Sequence, residues 1–257
     1  MMPNVALHSP SVLFFIGLPV LLVGLFVWGT ASAWRLAGMT AARTRRAAVI
    51  AGVAALGWMS LTGVAAARGV FREWTMTPPP FMGLVAAVLV LALSIAFSRL
   101  GARLAALPLW LLVGVQSFRL PLEMVMHRLA QHGIMPEQMT YTGRNWDVLS
   151  GLTALFVAGA LRVGIGSRRL ALTWNVIGLG LLANVLLVAI ASTPRFAAFG
   201  PDRLNVFIGY VPFVWLPAMM VLAALAGHLV IFRAPAESGL TARLSKATVP
   251  RRVQSLS

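Results

Sequence analysis

SVLFFIGLPVLLVGLFVWGTASAW, residues 11–34, is an apolar run without one charged side chain. A helix needs about 20 predominantly apolar residues to cross the hydrocarbon core of a bilayer, and this run supplies them. No Lys or Arg precedes the run, whereas Arg35, Arg43, Arg45 and Arg46 follow it. Because a secretory signal carries its positive charge before the apolar stretch, this order predicts a retained first span with its N-terminus outside.

Further apolar runs follow, each bounded by Arg, Pro or aromatic residues. Of the 257 residues, 59% are hydrophobic and 11% are charged, which is far more apolar than a soluble domain. We therefore predict an all-α fold, a polytopic transmembrane helix bundle of about seven spans in one domain, residues 1–233. The spans are predicted at 11–34, 47–67, 80–98, 104–127, 148–166, 170–192 and 205–232.

The basic residues indicate how these spans are oriented. With the N-terminus outside, the segments predicted inside hold 14 Lys and Arg residues and those predicted outside hold six. This excess follows the positive-inside rule and predicts the C-terminus inside, with residues 234–257 as a basic, mobile cytoplasmic tail. The net charge of +15 is divided into short groups between apolar runs. We therefore expect membrane lipids as partners and no nucleic acid.

The most informative stretch is QSFRLPLEMVMH, residues 116–127. Gln116, Arg119, Glu123 and His127 recur at steps of three and four residues, which places them on one face of a helix. Ionisable groups inside a bilayer are costly, so they must be paired or hydrated, and they often mark a site. The spacing also permits a structural ion pair between Arg119 and Glu123 within the helix.

A second polar segment, GRNWD, occupies residues 143–147 at the end of a long connection predicted to be an ordered cap or lid. Asp147 could close a pocket with Arg119 and His127, although a helix N-cap is the favoured role for Asp147 taken alone. Together with the stripe, the segment predicts a substrate-binding set: Gln116, Arg119, Glu123, His127, Asn145 and Asp147.

Later helices contribute isolated polar residues. Asn175 and Asn184 are expected to make interhelical hydrogen bonds. His228 falls near the inner end of the last predicted span, far in depth from His127, which argues against a haem held between the two. Pro212 and Pro217 are expected to kink this span.

Other chemistries find little support. The chain has no Cys, which excludes disulfides, thiolate nucleophiles and Cys-ligated metals. His127 and His132 lie near several Met residues, but Met124 and Met126 face away from the stripe, so no metal site is predicted. No nucleotide-binding or hydrolase motif occurs, and we expect no cofactor.

The segments Gln116-Ser-Phe-Arg119, Pro121-Leu-Glu123 and Gly143-Arg-Asn145-Trp-Asp147 resemble a pattern in a family of bacterial multi-pass membrane proteins. The resemblance covers about 30 to 40 residues. It implies a bacterial inner (plasma) membrane location and brings no assigned activity.

Three functions remain open from the sequence. The leading hypothesis is a small permease or binding protein for a polar or anionic solute, in which Arg119 binds the anion and Glu123 exchanges a proton. The second is a membrane-embedded enzyme that acts on a lipid-linked substrate through acid–base chemistry of Glu123 and His127. The third is a non-catalytic assembly subunit whose charges pack helices.

Overall fold

The computed structural model describes residues 10–235. Within this range the chain is built of helices and short connections, with no strand. Two irregular segments matter for the site, a 3-10 turn at Gln116–Phe118 and a π-helical turn at Leu216–Val221. The α-helices in this part of the chain are α1 (Pro10–Leu36), α2 (Ala41–Ala67), α3 (Pro80–Phe97), α4 (Arg99–Leu104), α5 (Leu109–Val115), α6 (Arg119–Gln131), α7 (Val148–Arg162), α8 (Arg168–Ala191) and α9 (Leu222–Phe232).

Five helical segments in this range are long and apolar enough to cross a bilayer. They are α1, α2, α3, the continuous segment Leu109–Gln131 and α8. Two shorter apolar helices, Val148–Arg162 and Leu216–Phe232, accompany them. The first has 15 residues, which makes it about 23 Å long against a hydrocarbon core of about 30 Å. The all-helical membrane fold is therefore supported, whereas the count of seven spans and the orientation of the termini stay predictions.

Helix α2 begins at Ala41, earlier than the predicted residue 47, whereas two predicted spans begin later in the structure than expected. The fourth span was expected from residue 104, but the chain turns there and a new helix begins at Leu109 after Pro108. The seventh was expected from residue 205, whereas the last helical segment begins at Leu216 with the π-helical turn and becomes regular α-helix at Leu222. In both places Pro residues fix φ and remove a backbone donor, so an apolar run continues while the helix does not.

The outer surface of the bundle is apolar. Val53, Phe156 and Leu187 are about two-thirds or more exposed, at 67%, 70% and 67% of their surface. A soluble protein rarely leaves such large contiguous apolar surface in water, whereas lipid chains would cover it. This exposure agrees with an integral membrane protein.

Inside the bundle, α6 to α9 enclose the polar residues. Helices α5 and α6 pack on α7, α7 packs on α8, and α8 packs on α9. Helix α3 lies along α9, while α1 and α2 form a hairpin at the side. The predicted cytoplasmic tail lies outside the described residues, apart from residues 234 and 235.

Candidate functional site

A 3-10 turn within the helical segment Leu109–Gln131 sets the start of the site. Helix α5 ends at Val115, the 3-10 turn follows, and α6 begins at Arg119. Pro121 lies in the first turn of α6, where the helix needs no backbone N–H from it. Arg119 is 1% exposed, so the bundle holds its guanidinium entirely inside.

The guanidinium of Arg119 binds the carboxylate of Asp147 in a bidentate pair. Its Nε donates to Oδ2 of Asp147 at 2.5 Å, and its Nη2 donates to Oδ1. Nη2 also donates to the backbone carbonyl of Gly178 at 3.3 Å, and Nη1 lies 2.7 Å from Nε2 of His228. Four of the five N–H groups of an arginine are thereby engaged. Within residues 10–235 this is the one salt bridge.

His228 joins the cluster in a defined tautomer. Arginine has no acceptor, so Nε2 of His228 must accept from Arg119. Nδ1 then carries the proton and donates to Oδ1 of Asn175 at 2.7 Å. Asn175 returns a bond through Nδ2 to the backbone carbonyl of His228 at 3.0 Å, which is the interhelical hydrogen bond predicted for it. The imidazole is therefore neutral and fixed between α8 and α9.

Small residues let the helices close around this cluster. A Cβ on Gly151 of α7 would lie 2.3 Å from the backbone nitrogen of Leu120, which no real contact allows. A Cβ on Gly178 of α8 would lie 2.8 Å from Cε1 of His228. Glycine at these two positions is required by the close approach of α7 to α6 and of α8 to the imidazole.

Glu123 occupies a different environment one turn further along α6. It is 2% exposed, and the side-chain amide of Asn145 lies 2.9 Å from each of its two carboxylate oxygens. The same amide is 3.0 Å from the carbonyl of Met139, and Oδ1 of Asn145 accepts from the backbone N–H of Asp147 at 3.0 Å. Asn145 thus joins the two acidic residues, but no described cation pairs with Glu123.

Five of the six residues predicted to bind substrate are buried, and four of them, Arg119, Glu123, Asn145 and Asp147, are joined by hydrogen bonds. Gln116 donates to the carbonyl of Ala224 at 3.3 Å, and its Oε1 has no partner among the described residues. His127 is the exception, since it is only half-buried and packs its ring on Tyr141 at 4.6 Å. Its nitrogens lie near Thr142 and Gln131, away from Glu123 and Arg119.

Two expectations from the sequence are wrong in this geometry. Arg119 pairs with Asp147 on the next helix, and not with Glu123 within its own helix, because Asn145 holds the carboxylate of Glu123. Asp147 does occupy the N-cap position of α7, but its side chain makes no capping hydrogen bond there. Its oxygens are directed to Arg119 instead, as the pocket interpretation predicted, while His127 takes no part.

The connection from residue 132 to residue 147 covers the cluster as an ordered cap. Gln138 is 3% exposed and donates to Oγ of Ser192 at 3.0 Å and to the carbonyl of Arg203 at 2.7 Å. Asn184 of α8 donates to the carbonyl of Arg144 at 2.7 Å. The cap is therefore bonded to α8 and to the connection that follows it, which agrees with the ordered cap predicted for this segment.

A cavity adjoins Glu123 between α3, α6, α8 and the last helix. Its volume is about 50 Å³, enough for several waters at about 10–15 Å³ each. Most of the wall is apolar, with side chains such as Leu182, Leu186 and Met220. The charged residues in the wall are Arg119, Glu123 and Asp147, which are linked to one another through Asn145 and the Arg119–Asp147 pair. A polar group of a ligand in this cavity would therefore contact these three charged residues, and an apolar group would contact the rest of the wall.

His228 and Gly178 belong to the site but were not predicted as members of it. Their contacts join residues 109 and 59 positions apart, so no local spacing could reveal them. The available signal was an imidazole inside a predicted span, since such a group is usually bonded to a polar partner. Among residues 10–235, no group of three or more His, Asp or Glu side chains is arranged to hold a metal ion.

The chain was compared with known proteins at three levels. No protein family, no curated protein and no solved structure matches it.

Proposed function

We propose that this integral membrane protein is a small permease or binding protein whose solute occupies the cavity at Glu123 and presents a basic or hydrogen-bond-donating group to it. The observation that carries the proposal is that Arg119 has a partner of opposite charge among the described residues, whereas Glu123 has none there. Arg119 is matched by Asp147, whereas Glu123 lines the cavity with an amide as its only side-chain partner. A ligand is therefore not needed to neutralise Arg119, whereas a cationic ligand could neutralise Glu123.

The chemistry of a buried carboxylate supports this proposal. A carboxylate removed from water is costly unless a proton, a cation or several donors compensate its charge. Asn145 supplies donors to both oxygens of Glu123 but no charge. The compensating positive charge comes either from a proton on Glu123 or from a cationic group of the solute. Exchange of the proton for the solute would couple solute binding to proton movement.

Arg119 has a positioning role in this proposal. Its bonds to Asp147, His228 and the carbonyl of Gly178 hold α6, α7, α8 and α9 together. An anionic solute at Arg119, the other possibility from the sequence, would have to displace Asp147 from a bidentate pair. A ligand at Glu123 requires no such rearrangement.

Small probes that share a short carbon chain test the proposal: ethylammonium, acetate and ethanol. We expect saturation-transfer NMR on the purified protein in lipid nanodiscs to detect ethylammonium, with much weaker signals from the other two. Glu123→Gln should weaken ethylammonium binding about 10-fold, the scale of one charge-assisted hydrogen bond. Glu137→Gln, the same change on an exposed residue of the cap, is the matched control and should have no effect.

A proton measurement tests the coupling. Addition of ethylammonium to the protein in weakly buffered solution should release protons, and Glu123→Gln should abolish that release. Equal binding of acetate and ethylammonium to both variants would contradict the proposal, as would preferential binding of acetate that depends on Arg119.

The enzyme alternative requires Glu123 and His127 to act on one substrate. Glu123 is held by Asn145 inside the bundle, whereas His127 is held by Tyr141 and Thr142 nearer the surface. A lipid-linked substrate beneath the cap would have to reach both environments. Activity whose pH–rate profile shifts in Glu123→Gln would favour this enzyme over a permease.

The assembly alternative has one observation in its favour, the extent to which the guanidinium of Arg119 is already bonded. A subunit that uses charges only to pack helices needs nothing more. It predicts that Glu123→Gln changes neither probe binding nor proton release, and the two measurements above therefore separate it from the proposed permease.

A further inference from the structure

A second concave site lies far from the polar cluster, where α1 ends and α2 begins. The groove has a volume of about 410 Å³ and is distinct from the cavity at Glu123. Its polar lining consists of Arg35, Thr44 and Arg45. The rest is formed by small or apolar side chains, Ala31, Met39, Ala41 and Ala48.

The charge of this groove is positive and uncompensated. Arg35 and Arg45 are exposed, and residues 31–48 contain no Asp or Glu. Within the part of the chain described here, the one salt bridge lies elsewhere and engages neither arginine. Two guanidinium groups therefore line a concave surface without an acidic partner, which is an arrangement that suits phosphate.

Two further features of α2 add donors to the same groove. Helix α2 has 27 residues and starts at Ala41, and Thr40 caps the N–H of Arg43, so the N–H groups of Ala41 and Ala42 and the positive end of the helix dipole remain for a ligand. Thr44 is 8% exposed, yet its hydroxyl has no hydrogen-bond partner among the described residues. A buried hydroxyl without a partner is uncommon, and Thr44 is one of the residues that line the groove with the two arginines.

The depth of the groove in the membrane indicates which phosphate groups it can reach. Helices α1 and α2 each have 27 residues and are about 40 Å long, whereas the hydrocarbon core of a bilayer is about 30 Å thick. Their joined ends therefore reach the headgroup layer. Leu36, Val49 and Ile50 are exposed beside the groove and would contact acyl chains.

We propose that this groove binds the phosphate of an anionic phospholipid headgroup, with Arg35 and Arg45 as the charged donors and Thr44 and the start of α2 as the neutral ones. The site is independent of the proposed ligand at Glu123. It would fix the α1–α2 hairpin to lipid at one face of the membrane.

The test uses the full chain purified in neutral detergent and titrated with phosphatidylglycerol, with bound lipid counted by native mass spectrometry. The double change Arg35→Gln and Arg45→Gln should weaken binding about 30-fold, which corresponds to about 1 kcal/mol for each arginine. Thr44→Val keeps the shape of the side chain, removes the hydroxyl and should weaken binding about fivefold.

Arg43→Gln with Arg46→Gln is the matched control, since it removes two positive charges from the start of α2 at positions that do not line the groove. This variant should lose less than about threefold. An equal loss in both double variants would overturn the proposal, because binding would then follow net charge. Displacement of phosphatidylglycerol by millimolar inorganic phosphate would overturn the lipid assignment in favour of free phosphate.

Discussion

Replacement of Asp147 by Asn tests whether the cluster stabilises the fold through charge. The substitution keeps the shape of the side chain but leaves Arg119, at 1% exposure, without its anionic partner. Removal of one member of a buried ion pair costs about 3–5 kcal/mol, because the remaining charge stays desolvated and unpaired. At about 2–4 °C for each kcal/mol in a chain of this size, we expect the unfolding midpoint to fall by about 10 °C.

Thermal unfolding of the purified protein in detergent, followed by tryptophan fluorescence, measures this loss. Asp202→Asn is the matched control, since Asp202 is exposed and should shift the midpoint by less than about 2 °C. The double variant Arg119→Met with Asp147→Asn should recover part of the loss, because it removes the stranded charge. If Asp147→Asn were as neutral as Asp202→Asn, the pair would not stabilise the bundle and the argument would be refuted.

Two further substitutions test how the cluster is assembled. His228→Ala leaves Nη1 of Arg119 and the amide oxygen of Asn175 without partners, so unfolding should become easier by about 1–3 kcal/mol for each group, while the exposed His132→Ala should have no effect. Gly178→Ala places a Cβ 2.8 Å from the imidazole and should cost about 1–3 kcal/mol, whereas Gly180→Ala, with nothing within 4 Å of its Cβ, should be neutral or slightly stabilising. Equal effects within either pair of variants would contradict the contacts described above.

Much of the helical architecture was predictable from apolar length alone. Helix α3 was expected at 80–98 and observed at Pro80–Phe97, and α8 was expected at 170–192 and observed at Arg168–Ala191. Neither helix has a Pro or a charged residue in its interior, and Pro or Arg residues mark where each one starts, so hydropathy and helix signals agree. Where Pro interrupts an apolar run, as before Leu109, the hydropathy stays high although the helix is interrupted. The first residue of the helix is then not predicted from hydropathy.

The polar stripe on α6 was predicted because its spacing is local. Burial of Arg119 and Glu123 follows from positions on one helix face, which the sequence contains directly. The partner of each charge was not predictable in the same way. Asp147 is 28 residues from Arg119. Whether Arg119 pairs with Asp147 or with Glu123 depends on how α7 packs against α6.

His228 shows why depth along separate helices is difficult to predict. The sequence placed His228 far in depth from His127 and did not predict its contact with Arg119. The side chains of a helix tilt toward its N-terminus, so Arg119 at the start of α6 extends away from His127 and toward His228. The length of the arginine side chain covers the remaining separation, and the two residues meet at 2.7 Å.

The most direct test of a ligand site at Glu123 is the reactivity of a thiol placed in the cavity. The chain has no Cys, so Leu186→Cys introduces a single thiol into the cavity wall, and Leu187→Cys places the control on the lipid-facing surface. We predict that a methanethiosulfonate reagent with an ammonium group modifies Cys at position 186 faster than its sulfonate analogue, and that Glu123→Gln removes this preference. An unreactive thiol at position 186, or a preference for the anionic reagent, would contradict a cation-accepting cavity at Glu123.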